Sequence, residues 1–166
     1  MRLLLIFFII LFTTSISFSE DRFSNYDGKK NEKSLSEVIK WSWSREEPKK
    51  EFIETSKIIN SEFFEDRKYY ALWIGHSTFL VNNGDITILF DPIFSDRASP
   101  LSFAGPKRLI KPSIDIQDLP KIDVITISHN HYDHLDINSL RKIQKKFPNV
   151  KILVPKGDLK LLKNYQ

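Results

Sequence analysis

A chain of 166 residues with 41% hydrophobic and 13% aromatic side chains has material for one packed domain and too little for several. Its 25 Lys and Arg against 21 Asp and Glu leave a net charge of only +4, and aromatics are sparse among the late basic residues, which argues against a nucleic-acid groove. With no cysteine, disulfides and thiolate metal ligands are excluded.

In chain order, Met1-Arg2 gives a short positive start, Leu3 to Phe12 an unbroken apolar run, and Ser17-Phe18-Ser19 the small residues that cleavage needs. Residues 1–19 therefore read as a secretory signal, and the chain as exported, periplasmic or extracytoplasmic. The apolar run is shorter than the roughly twenty residues that span a bilayer, which leaves an uncleaved anchor as the alternative. Glu20 to Asn31 reads as a polar linker. Ser34-Leu35-Ser36-Glu37 matches a capping box, so a short helix is predicted to begin there, carrying Val38, Ile39 and Trp41. Trp41 and Trp43 read as packing groups, with peripheral membrane contact as the other reading. Residues 20–66 form an N-terminal extension in this reading, and residues 67–166 the main domain.

Tyr69 to Ile74, Thr78 to Val81 and Ile86 to Phe90 are predicted strands, with Asn83-Gly84 a hairpin turn between the last two. Asp123 to Ser128 reads as a buried strand, and Asn138 to Phe147 as a helix in which Leu140, Ile143 and Phe147 recur at i, i+3 and i+7. Val150 to Val154 reads as a further buried strand, and Gly157-Asp158 as the start of a helix. The pattern is α/β. Residues 141 to 163 carry eight Lys and Arg against Asp158 alone, a solvated helix face or a surface for anionic lipid or phosphate.

Chemistry concentrates in Ser128-His129-Asn130-His131-Tyr132-Asp133-His134-Leu135-Asp136, which holds three of the four histidines. Imidazole nitrogen and carboxylate oxygen suit Zn²⁺ and its neighbours. His129 and His131 leave the same face of an extended segment and can grip one ion, whereas Asp133 and His134 can serve a second after a turn. The motif lies between a strand and a helix, at the C-terminal strand end where α/β sites usually sit. A histidine-rich surface loop is the competing reading. His76, a lone histidine after glycine, reads as a hydrogen-bonded structural residue rather than a ligand.

Together with Gly75-His76-Ser77-Thr78, Asp91-Pro92-Ile93-Phe94-Ser95-Asp96-Arg97-Ala98-Ser99-Pro100, Gly105-Pro106-Lys107-Arg108 and Asp118-Leu119-Pro120, this motif resembles the metallo-β-lactamase superfamily. Within it the segments most resemble the N-acylphosphatidylethanolamine-hydrolysing phospholipase D group and its bacterial relatives, over about residues 69 to 166. The resemblance implies a four-layer αββα sandwich and a two-zinc hydrolase acting on a phospholipid or small ester. It implies His129 and His131 as ligands of metal one, and Asp133 and His134 as ligands of metal two. It also implies that Asp91 orients ligands from behind, so Asp133 and Asp91 are the candidate catalytic carboxylates. Ser102 and Phe103, just before the Gly-Pro-Lys-Arg block, are candidate substrate-binding residues. The family draws its remaining ligands from the second half of the fold, and no histidine follows His134 here. The expectation is therefore an N-terminal half: a fragment inactive alone, with weak metal binding and an apolar sheet face left open, or a chain completed by a second one. A lactonase-like hydrolase is the alternative activity.

Overall fold

The computed structural model describes residues 26–28, 33–46, 59–99, 101 and 103–163. The signal, most of the polar linker and Ser102 lie outside the described residues. The chain divides into two units, Met1–Pro48 and Lys49–Gln166.

In the first unit, α1 spans Leu35–Ser44. The predicted capping box is present: Glu37 N–H donates to Ser34 Oγ (3.3 Å) and Ser34 N–H donates to the Glu37 carboxylate (2.7 Å), which satisfies two otherwise open helix-end donors. No residue of α1 is buried.

The second unit is an α/β arrangement built on a five-stranded sheet in the order β1-β2-β3-β4-β5, with β1 Tyr69–Gly75, β2 Thr78–Asn83, β3 Thr87–Phe90, β4 Val124–Thr126 and β5 Lys151–Leu153. β1, β2 and β3 form an antiparallel meander, whereas β3, β4 and β5 run parallel. Asn83 makes the β2–β3 turn by accepting from the N–H groups of Asp85 and Ile86, and Gly84 supplies a φ of +96°. A β-carbon on Gly84 would stand 2.7 Å from the Tyr69 ring. Ahead of β1, Ile59 N–H donates to Ser113 C=O (2.6 Å), and the Phe64 ring lies tilted against Tyr70 with centroids 5.1 Å apart.

Alternation of the strands decides which face is covered. Ile74, Leu80, Leu89 and Ile125 point to one side and are buried with Leu140 and Ile143 of α2, Ile137–Lys146. Asp136 caps α2, its carboxylate accepting from the N–H groups of Asn138 and Ser139. Lys146, in the last turn, donates to the carbonyls of Ile116, Gln117 and Leu119, fastening the 3-10 turn Ile116–Asp118 beneath the sheet. α3 follows β5 at Leu159–Lys163.

The opposite face is apolar and open. Trp73, Phe79, Phe90, Thr126 and Leu153 occupy directly paired positions across all five strands, and Trp73, Phe79, Phe90 and Leu153 are each exposed. This corrects in part the reading of Asp123 to Ser128 and Val150 to Val154 as buried strands: Ile125 and Ile127 are buried in the core, but Val124, Thr126, Val150, Ile152 and Val154 are only partly buried, Leu153 is exposed, and β5 ends the strand order among the described residues. A short apolar run does not say how many faces of its sheet are covered.

Candidate metal centre

Three connections meet at one end of the sheet: the Gly75–Thr78 turn between β1 and β2, the loop after β3, and the loop after β4. Because β3 and β4 are parallel, this is the C-terminal end of both, the expected place for a site. The register between β1 and β2 slips between Trp73 and Gly75, a bulge that re-aims the chain as it enters the first turn.

Asp91 follows β3 directly and takes a left-handed backbone, φ +40°. Its N–H still donates to Thr126 C=O (2.9 Å), extending the sheet by one bond. The buried Thr78 hydroxyl holds the turn from below, donating to Asp91 C=O (2.6 Å) and accepting from Ile93 N–H (3.0 Å). Beyond it, Ser95 N–H donates to Asp136 and Phe94 N–H to Ser139 Oγ, so the loop is tied to the first turn of α2. The Arg108 guanidinium donates to the carbonyls of Ser95, Ile110 and Ile93, completing the frame.

The Asp91 carboxylate points into the motif loop. Oδ1 accepts from Ser128 N–H (2.7 Å), while Oδ2 lies 2.7 Å from Ser128 Oγ and 2.8 Å from His134 Nδ1. A carboxylate only accepts, so the neutral His134 ring carries its proton on Nδ1 and its lone pair on Nε2. Burial pushes the Asp91 carboxyl up, but the hydrogen bonds from His134 and Ser128 outweigh it and hold it below the usual carboxylate range.

The motif turns as its spacing requires: His131 C=O accepts from the N–H groups of His134 (2.9 Å) and Leu135 (2.7 Å), with Leu135 buried as an anchor. Asn130 is pinned to Asp158 after β5 (3.0 Å). The three motif rings cluster, with His129 centred 3.9 Å from His134 and 4.7 Å from His131. Burial, then the neighbouring His134 and His131, push the His129 imidazole down, favouring the neutral form that a metal needs. Asp133 Oδ2 stands 3.7 Å from His134 Nε2.

His76 joins this group. Its Nε2 is 3.6 Å from Asp133 Oδ2, and ligand atoms of His76, Asp133 and His134 all lie within 4.8 Å of one another. Read along the chain as a structural residue, this lone histidine acquires its place beside the motif only through β1–β2 pairing. Ser128 and Asp136 were likewise unassigned; only Asp136, preceding a helix with Ser139 three residues on, carried a readable capping signal. Phe103 is 79% exposed, on a loop closed by Arg97 donating to Gly105 C=O (2.6 Å). Nitrogen and oxygen donors within these distances fit a divalent ion of the zinc type.

A model of the β-lactamase superfamily domain matches residues 87–165. N-acyl-phosphatidylethanolamine-hydrolyzing phospholipase D 1 of Caenorhabditis elegans is 41% identical over 107 residues, 64% of this chain and 30% of that protein. Residues 87–165 thus carry the fold of the metallo-β-lactamase superfamily, and the chain is similar to its N-acylphosphatidylethanolamine phospholipase D-like branch. The mitochondrial N-acyl-phosphatidylethanolamine-hydrolyzing phospholipase D of Saccharomyces cerevisiae is 44% identical over 89 residues, 53% of this chain and 18% of that protein. A metal-dependent hydrolase of Pyrobaculum islandicum is 36% identical over 63 residues, 38% of this chain and 23% of that one. The matched segments thus span less than a third of each of these relatives.

Proposed function

We propose that this chain carries the metal-binding half of a zinc-dependent hydrolase that cleaves a phosphodiester in an N-acylphosphatidylethanolamine-type lipid. The observation that carries the reading is the Asp91–Ser128–His134 network, which fixes one histidine tautomer and aims the motif loop outward from the sheet end. His129 and His131 would hold one ion, and Asp133 and His134 a second. Bound zinc supplies a water of pKa near 7 and Lewis acidity toward an ester oxygen. The chain's own part is positional: Asp91 keeps the His134 lone pair available, Asp133 supplies negative charge to the ions, and the buried Leu135 anchors the loop.

The phospholipid substrate is supported by the two phospholipase D relatives, over a part of their length. A basic stretch from Arg141 to Lys163 supplies charge suited to an anionic lipid surface. Export with cleavage after Ser19 belongs to the same proposal, and N-terminal sequencing of the protein from its own cell should begin at Glu20.

The test is hydrolysis of vesicles containing N-acylphosphatidylethanolamine, with and without zinc, by the purified chain supplied with the second half of the fold. The expected result is zinc-dependent release of N-acylethanolamine, lost with EDTA and in His131→Ala. Cleavage of a soluble lactone in place of the lipid would favour the lactonase-like reading. A zinc-loaded, completed site that hydrolyses neither would overturn the proposed activity.

A further inference from the structure

We infer that α1 is an interfacial helix, which lies in the headgroup boundary of a lipid bilayer with its apolar arc turned toward the acyl chains. The inference concerns a different unit of the chain from the metal centre and does not depend on the hydrolase reading.

At 3.6 residues per turn, Trp41, Val38, Ser42, Leu35, Ile39 and Trp43 follow one another around α1 over an arc of roughly 200°, and Ser42 is the one polar residue within it. Glu37, Ser44, Lys40 and Ser36 fill the rest of the circumference. The apolar arc is uncovered: Trp43 is 68% exposed, Leu35 57% and Trp41 56%. A helix of 10 residues is marginal in water unless such a face is packed, so the capping box alone does not sustain it and a partner is required.

The width and the borders of the arc identify that partner. A helix resting on a globular core needs an apolar stripe of about 100°, and would leave both edges of this one in water. A helix lying in the plane of a lipid interface immerses the whole arc. Trp41 and Trp43 stand at its two borders, which such a helix holds at the headgroup level that indole rings prefer. Arg45, the C-cap, has its guanidinium carbon 5.4 Å from the centre of the Trp41 ring, so its charge stays at the polar margin while the ring faces inward. Residues 29–50 hold seven Lys and Arg against four Glu, an excess that complements anionic headgroups.

The full chain is placed in heavy water with and without vesicles of phosphatidylcholine and phosphatidylglycerol that contain no N-acylphosphatidylethanolamine, and amide exchange is read at residues 38–44. Those amides should exchange fast in the free protein and at least about tenfold more slowly on vesicles. Trp41→Ser combined with Trp43→Ser should bring exchange on vesicles back to within about twofold of the free chain, whereas Ser36→Gln, on the polar arc, should keep the protection. Protection without lipid would mean that protein covers α1, either the main unit or a second copy of the chain, and would overturn the inference. So would α1 amides that stay fast on vesicles, even where the chain sediments with them through another segment. Because exchange is read at α1 itself and the vesicles carry no substrate, either failure leaves the hydrolase proposal standing. Vesicle-dependent protection of α1 in a chain that hydrolyses nothing would sustain the inference on its own.

Discussion

Asp91→Asn isolates charge and proton placement at the centre of the site, because asparagine tolerates the left-handed backbone and nearly matches aspartate in shape. The wild-type carboxylate accepts from three donors, Ser128 N–H, Ser128 Oγ–H and His134 Nδ1–H. An amide has one acceptor oxygen to offer, and its orientation is dictated by the donor that cannot move. The Ser128 backbone N–H is fixed, so the oxygen must face it, which sets the new NH₂ against Ser128 Oγ and His134 Nδ1. The hydroxyl can rotate. His134 can relieve the clash only by shifting its proton to Nε2, the nitrogen that zinc requires bare. Loss of one to two charge-assisted bonds, each worth roughly 1.5–3 kcal/mol and partly replaced, should cost about 2 kcal/mol. For a unit of this size that is roughly 10 °C in Tm. Zinc affinity should fall about 10- to 100-fold. Thermal unfolding, zinc calorimetry and ¹⁵N spectra of the histidine rings read these separately. If His134 kept its Nδ1 proton in the variant and zinc bound within twofold of wild type, the network would not set the tautomer and the reasoning would be refuted.

Thr78→Val should be costly for its size, because it leaves the Asp91 carbonyl and the Ile93 N–H without the buried hydroxyl that serves both. About 2–4 kcal/mol is expected in urea unfolding, against well under half of that for Thr78→Ser. Asp136→Ala removes the cap of α2 and the acceptor for Ser95 N–H together, so it should lose about 2–3 kcal/mol, more than an ordinary cap deletion; a loss below 1 kcal/mol would show that the loop after β3 is not tied through Asp136. Acidification should destabilise the protein through Asp91. Its folded carboxyl titrates below the unfolded value of about 4, so its contribution is complete above that pH and is lost as pH falls through the folded value. Urea midpoints taken from pH 7 to pH 3 should fall less steeply at the acid end in Asp91→Asn.

Much of the fold could be read in the residues because its elements are short-range patterns. The alternation in β1 and β2 and the i, i+3, i+7 spacing of Leu140, Ile143 and Phe147 declare faces without tertiary knowledge. The Asn83-Gly84 turn is local chemistry. What depended on partners was not readable in the same way: whether β4 and β5 have two covered faces is decided by what lies above them. The site divides along the same line. His129, His131, Asp133 and His134 lie within one motif, so their types and spacing suffice to nominate them. His76 is 57 residues from Asp133 and Ser128 is 37 from Asp91; their places follow from sheet pairing and loop hydrogen bonds.

Among the described residues, positive φ outside glycine occurs only at His76 and Asp91, and both stand where strands end beside the motif loop. Each is held by a group in the strand behind it: Trp73 bonds the His76 carbonyl, and Thr78 bonds the Asp91 carbonyl. The strain is thus imposed by the sheet and expressed in two side chains that converge on the Asp133–His134 pair, one through His76 Nε2 and one through the carboxylate of Asp91. A flexible histidine-rich surface loop would have no need of such constraints, since residues in relaxed conformations would bind an adventitious ion as well. Backbone cost of order 1–3 kcal/mol at each of two positions, both aimed at one pair of side chains, is instead what preorganisation of a metal centre requires.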